Sequence, residues 1–284
     1  MFECIAEDFS DRRKHMYGLK SIIAALSADQ HRRGAEQAGW ILSKRVKIPS
    51  GLWNGLVRLG GQASEESIAV QEVDAIEDDA PVDCVYYHVL AVLQHGEAVR
   101  VRGRKPSTSD VADVLEELVA TEGALHRAVK EMYLESKGSA YHTVPIGQAG
   151  GLIECDDVFS HTLEFANVYV ALNTAYYWMC LLALRTMHLD MRNAVGKKAY
   201  PYEYEFCGLG VSTITRNAFE CADNLCMTLV TLASEGYVGM MCSAALLQLA
   251  SRWYARRGDA TKLGWCQIAG NALRSRGLMK FDIG

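Results

Sequence analysis

Proline is scarce in this chain, with five in 284 residues, and no stretch is rich in serine or glycine. Long disordered linkers are therefore not expected. No two of the nine cysteines stand at Cys-x-x-Cys spacing, and only Cys4 falls within the first 83 residues. The count is odd and the opening Met1-Phe2-Glu3-Cys4 has no apolar leader. Reduced thiols in an intracellular compartment, cytoplasm or nucleus, are the expectation. The longest apolar run, residues 175–184, falls short of the roughly 20 residues that cross a bilayer, so no membrane span is expected.

Motifs for common chemistries are missing too. There is no HExxH, no P-loop, no Gly-x-Gly-x-x-Gly after a strand and no Gly-x-Ser-x-Gly elbow. The eight histidines are scattered, and His88 and His95 lack a neighbouring carboxylate that would complete a metal site. Neither a metal nor a cofactor is expected. A net charge of −5 offers nucleic acid no global attraction. The short basic clusters Arg12-Arg13-Lys14 and Arg100 to Lys105 lack interleaved aromatics and read as solvated charge.

Helical periodicity runs along nearly the whole chain. Half the residues are hydrophobic, enough for a substantial core. Apolar positions at Met16, Leu19, Ile22, Ile23 and Leu26 mark a helix over 12–26. Further helices are expected over 30–46 and 52–59. An acidic stretch, 65–83, follows, then a helix over 82–93. Ser109 or Asp110 is expected to cap a long amphipathic helix carrying Val111, Val114, Leu118, Leu125 and Val129 on one face.

Residues 138–157 read as irregular, as do 193–210 with Tyr200, Tyr202 and Tyr204. Asp156 or Asp157 is expected to cap the most apolar helix, 158–185. Three helices close the sequence, over 212–234, 238–256 and 260–276. Gly258-Asp259 places a C-cap directly before an N-cap, the mark of a tight helical hairpin. The expected fold class is all-α in a single domain over 1–284, the alternative being a boundary near 138–157.

The helix expected at 158–185 carries the first candidate site. Glu164, Asn167, Ala171, Thr174 and Trp178 recur at spacings of three and four and would share one face. That face is either a strip touching water or a polar line along a cavity. Tyr176, Tyr177 and Trp178 are consecutive and point about 100° apart, so they cannot all enter one core. Aromatic bodies with polar tips suit the wall of a small-molecule site. Arg216 and Glu220 stand one turn apart, as an ion pair or as a grip on a ligand carbonyl or carboxylate. His161, near the expected helix start, would stay neutral and could serve as a base.

The order of several loose motifs resembles a known family. They are Phe159-Ser160-His161-Thr162-Leu163-Glu164-Phe165-Ala166-Asn167 leading to Tyr176-Tyr177-Trp178, then Thr215-Arg216-Asn217, residues 244–253 ending in Trp253, and Gly264-Trp265-Cys266 before Arg276-Gly277. Residues 15–26 and Gly39-Trp40-Ile41-Leu42 add to it. Together they resemble the fungal-specific transcription factor domain, the C-terminal regulatory domain of zinc-cluster regulators. The six clustered thiolates of the DNA-reading part have no counterpart, so direct nucleic-acid binding is not expected.

Two functions follow from that resemblance. One is a stand-alone helical domain reused as a cofactor-independent cyclase of the Diels–Alder type. It would act on a hydrophobic terpenoid or polyketide intermediate in fungal secondary metabolism. Its catalytic candidates are Tyr176, Tyr177, Arg216 and His161, with Glu164, Asn167, Thr174, Trp178 and Glu220 around the substrate. An apolar pocket between the helices at 158–185 and 212–234 would hold them. The other function is a regulator without a zinc cluster, a module that binds a metabolite or a partner protein, with a homodimer left open.

Overall fold

The computed structural model describes residues 81–101, 106–135, 141–145, 158–195, 210–234 and 236–275. The helices expected at 12–26, 30–46 and 52–59 lie outside the described residues, as do Arg102, Arg104, Lys105 and the tyrosines at 200, 202 and 204. Among the described residues six helices and one small sheet follow in order. They are α1 (Pro81–Val101), α2 (Thr108–Glu135), β1 (Tyr141–Pro145), β2 (His161–Phe165), α3 (Val168–Val195), α4 (Val211–Ser234), α5 (Gly236–Arg257) and α6 (Ala260–Ser275). The described part is mostly helical, consistent with the expected all-α class, with one two-stranded sheet added to it. None of its helices is long and apolar enough to cross a membrane.

The sheet corrects the reading of 158–185 as one helix. Residues 161–165 pair antiparallel with 141–145, from Tyr141 opposite Phe165 to Pro145 opposite His161. β2 buries Thr162, Leu163 and Phe165 and exposes His161 and Glu164. An apolar run this short fits a helix face or a strand equally well, and periodicity alone cannot choose. Tertiary anchoring decides. The Thr162 hydroxyl donates to the Met227 carbonyl at 2.6 Å, and Thr231 on α4 donates to the Leu163 carbonyl at 2.5 Å.

Asn167, not Asp156 or Asp157, then caps α3, its Oδ1 accepting the Val170 N–H at 3.1 Å. Ser107 likewise caps α2 in place of Ser109 or Asp110, accepting the Asp110 N–H at 3.0 Å. The expected Gly258-Asp259 corner is present. Gly258 turns the chain with φ of 71°, and Asp259 Oδ1 accepts the Lys262 N–H at 3.1 Å.

The helices alternate in direction. Tyr86 and Gly96 on α1 meet Asn173 and Met187 on α3, so those two run parallel. Glu122 and His126 on α2 meet Arg185 and Tyr177, in the opposite sense. α5 runs with α3, and α6 runs with α4, where Asp223 and Cys226 face Lys262 and Cys266.

α3 is the hub, touching α1, α2, α4, α5 and β2. Its buried residues, including Ala171, Ala175, Met179, Leu182 and Met191, surround most of its circumference, as a helix apolar on nearly all sides requires. At Gly96 α1 meets Met187 of α3. A Cβ there would stand 2.8 Å from the Met187 sulfur, so a larger residue requires that side chain to move.

Candidate functional site

The structure disperses the residues the sequence singled out. Tyr176 is buried at 4% exposure, its ring edge-on to Tyr86 at 6.4 Å and its hydroxyl 3.7 Å from the Cys242 sulfur on α5. Trp178 is buried against Tyr141, ring centroids 5.4 Å apart. Thr174 is also buried, and its hydroxyl donates back to the Val170 carbonyl at 2.7 Å. The shared face of five residues therefore does not exist. Glu164 is on a strand, Asn167 is a cap, and Ala171, Thr174 and Trp178 are core.

The remaining candidates sit on the surface. Glu164 faces its cross-strand neighbour His142 at 3.0 Å. His161 is on β2 rather than at a helix start, exposed and bonded to the Ser160 hydroxyl at 2.7 Å. The dipole argument for its neutrality falls with that helix. Arg216 and Glu220 form the one-turn ion pair at 3.9 Å, with side chains 70% and 65% exposed. Arg216 projects into solvent, not into a space shared with Tyr176 and Trp178, which corrects the grouping expected between α3 and α4.

Tyr177 alone of that set enters a polar cluster. Its hydroxyl lies 2.7 Å from Nδ1 of His126 on α2, with the rings edge to face at 5.7 Å. His126 Nε2 stands 3.5 Å from Oε1 of Glu122, one helical turn back. Glu122 Oε1 also accepts Nε and Nη2 of Arg185 at 3.1 and 2.7 Å. Arg185 Nη1 donates onward to the Asn217 carbonyl and the Cys221 sulfur on α4, at 3.0 and 3.1 Å. One seam thus links α2, α3 and α4 through Glu122, His126, Tyr177 and Arg185, with Arg185 reaching α4 where Arg216 was expected.

The electrostatics follow from this packing. Burial pushes the Glu122 carboxyl up, but His126 and the Arg185 guanidinium outweigh it and hold the group below its ordinary range. Glu122 is therefore an ionised, acceptor-only group at neutral pH. Burial pushes the Cys221 thiol up to about 12, more than Arg185 opposes, so this sulfur is a weak acceptor and not a thiolate nucleophile.

His126 can carry its proton on Nε2 toward Glu122 and accept the Tyr177 hydroxyl at Nδ1. With both nitrogens protonated it donates to the phenol oxygen, and the phenol hydrogen turns to another acceptor. The arrangement can place a hydrogen-bond donor on a ligand carbonyl and pass a proton along one imidazole.

Close by, His188 on α3 is buried at 7% exposure and its Nε2 has no hydrogen-bond partner among the described residues. Burial, aided by Arg192, pushes it down to about 4, so it is neutral at physiological pH. Among the described residues, no three His, Cys, Asp or Glu side chains gather as metal ligands. Comparison of the chain with protein-family models, curated proteins and solved structures gives no match.

Proposed function

We propose that this chain forms a helical module of the fungal transcription-factor type. In this reading it binds a hydrophobic small molecule bearing a carbonyl at the α2–α3 seam. The observation that carries the proposal is the Tyr177–His126 pair at 2.7 Å, set against the Glu122–Arg185 ion pair. A phenol tied to an imidazole is a switchable donor, and with Tyr177 half-buried and the His126 side chain 45% exposed a ligand can reach the pair from solvent. The order of the motifs from Phe159 to Trp265 supports the family reading, and with it a regulatory role that acts through a ligand or partner protein.

The same pair favours a second reading, the cofactor-independent cyclase. A Tyr177 donor backed by His126 and Glu122 could polarise one carbonyl of a bound polyene while the protein holds its reacting ends together. Such holding can supply up to about 7–11 kcal/mol in ideal cases. The donors Tyr176 and Arg216 play no part in this version.

One experiment separates the two. The chain is incubated with lipophilic carbonyl metabolites, and both binding and product are followed. Binding without turnover supports the module. Product formed by the native chain and lost in Tyr177→Phe supports the enzyme. No binding that depends on Tyr177 or His126 removes both.

A further inference from the structure

α4 and α6 run parallel and are tied by two rungs one turn apart. The first is the ion pair of Asp223 with Lys262. The second is a pair of thiols, with Cys226 Sγ and Cys266 Sγ 4.0 Å apart. Both residues are fully buried. Cys226 lies one turn beyond Asp223 and Cys266 one turn beyond Lys262, so the ion pair fixes the register that sets the sulfurs opposite each other. The other thiols with described contacts meet different partners. Cys221 touches Arg185, and Cys242 touches Tyr176.

A disulfide holds its sulfurs at about 2.05 Å. Closing the present gap takes about 1 Å from each sulfur, a displacement on the scale of ordinary thermal motion. A proton route leads out from Cys226. Tyr254 gives its hydrogen to Asp223 Oδ1 at 2.7 Å, so its oxygen is an acceptor for the Cys226 thiol, 3.8 Å away. The Asp223 side chain keeps 29% of its surface. A thiol proton taken by Tyr254 can therefore leave as the phenol proton passes to a carboxylate that water reaches.

We propose that Cys226 and Cys266 are a redox dithiol that a peroxide closes into a disulfide linking α4 to α6. With hydrogen peroxide, one sulfur attacks the O–O bond and becomes a sulfenic acid, releasing water. The second sulfur attacks the first and displaces its hydroxyl as a second water. Both thiol hydrogens leave in water, and the two electrons given up by the sulfurs reduce the peroxide. The dithiol is separate from the α2–α3 seam and does not depend on the function proposed there. Burial pushes the Cys226 thiol well above its ordinary range, so closure is slow and extends over hours. The bond would join positions 40 apart in sequence, which restricts the unfolded chain and stabilises the fold.

The test uses the full chain, reduced, freed of reductant and treated with hydrogen peroxide. The remaining thiols are then alkylated in denaturant, and peptide mapping reads the pairing. The expected result is a peptide pair joined through Cys226 and Cys266, lighter by two hydrogens and separated by dithiothreitol. The urea midpoint should rise on closure and return when dithiothreitol opens the bond. Cys226→Ser and Cys266→Ser should each lose the joined peptides. If either variant fails to fold, the map of the native chain still decides.

Recovery of both cysteines in alkylated form after long exposure would overturn the inference. Oxidation of one of them to a sulfinic acid with no bond formed would do the same. So would pairing of either with another cysteine in the folded chain. A midpoint that rises when dithiothreitol opens the bond would show that the fold holds the sulfurs apart, and also counts against the dithiol.

Discussion

Asp223 on α4 grips Lys262 on α6 through both carboxylate oxygens, at 2.7 and 2.8 Å, and the same Oδ1 accepts the Tyr254 hydroxyl at 2.7 Å. The ammonium also lies 5.5–5.8 Å from the ring centroids of Phe159, Phe219 and Tyr254. Two helices besides α6, and Phe159 just before β2, therefore converge on one lysine. Lys262→Met keeps the stem packing and removes the charge, and should cost about 1–3 kcal/mol. Asp223→Ala strands both Lys262 and Tyr254 and should cost more. Urea unfolding of the two variants checks the order, and equal or negligible losses would show that the clamp is ornamental.

Arg185 and Arg216 make a matched pair for a second prediction. Both meet a glutamate, but the Arg185 side chain is 11% exposed and Arg216 is 70% exposed. Arg185→Met leaves Glu122 charged in a half-buried place and should destabilise by about 3–5 kcal/mol. Arg216→Met should stay within about 0.5 kcal/mol. Thermal or urea unfolding reads both, and a large loss at Arg216 would contradict its position on the solvent side of α4.

Acid should weaken the fold through His188. Its folded value is pushed down to about 4 from an ordinary 6.5 by burial first and Arg192 second. Between those values the unfolded chain takes up a proton that the folded chain refuses, so stability rises with pH through that window and falls as the pH drops. The full effect is up to about 3 kcal/mol. Glu122, held below its ordinary 4.5, adds in the same direction: its contribution is present above that value and fades as the pH falls through the folded one. His188→Leu should flatten the slope between pH 6.5 and 4. An unchanged slope in that variant would assign the acid sensitivity elsewhere.

If the chain turns over a substrate, Tyr177→Phe should slow it by about 10²–10³-fold, the usual cost of one positioned donor. Replacing His126 with Gln should fall in the same direction by a smaller factor, since it backs the donor and need not touch the substrate. Tyr176→Phe and Arg216→Met should leave the rate within a few fold. Single-turnover kinetics on the four variants tests this, and loss of activity at Tyr176 with none at Tyr177 would move the site to the α1–α3–α5 interior.

Removal of metal should leave the described bundle intact. Its thiols Cys180, Cys221, Cys226 and Cys266 are buried in helices, and no ligand set gathers among the described residues. Treatment with a strong chelator is expected to leave the unfolding midpoint unchanged. A drop in midpoint together with release of stoichiometric zinc would refute this.

How much of this is legible in the sequence varies by element. The last three helices and the Gly258 corner can be read, because periodicity and capping chemistry agree there over long stretches. β2 cannot. His161 to Phe165 is five residues long, its apolar positions fit two periods, and the choice is made by hydroxyls of Thr162 and Thr231 bonding across the fold.

Once the strand is in place the helix start moves to Asn167, and every facing relation drawn from the longer helix is lost. Tyr177 stands out in the sequence for a sound reason, the impossibility of burying three consecutive aromatics on one face. Its partners do not. Glu122 and His126 stand one turn apart on α2, and Arg185 is the first charge after the apolar run that begins α3. Those signals are present, but which helix meets which depends on the bundle order.

The alternation of helix directions has a kinetic side. Along most of the described bundle each helix packs on the next one in the chain, so most contacts join neighbours in chain order. Lys262 and Asp223 break that pattern, since their bond skips α5 altogether. It is expected to form only after α5 has folded back on α4 and α6 has turned at Gly258. Mutation of that pair should therefore change the rate of unfolding and leave the rate of folding nearly as it was.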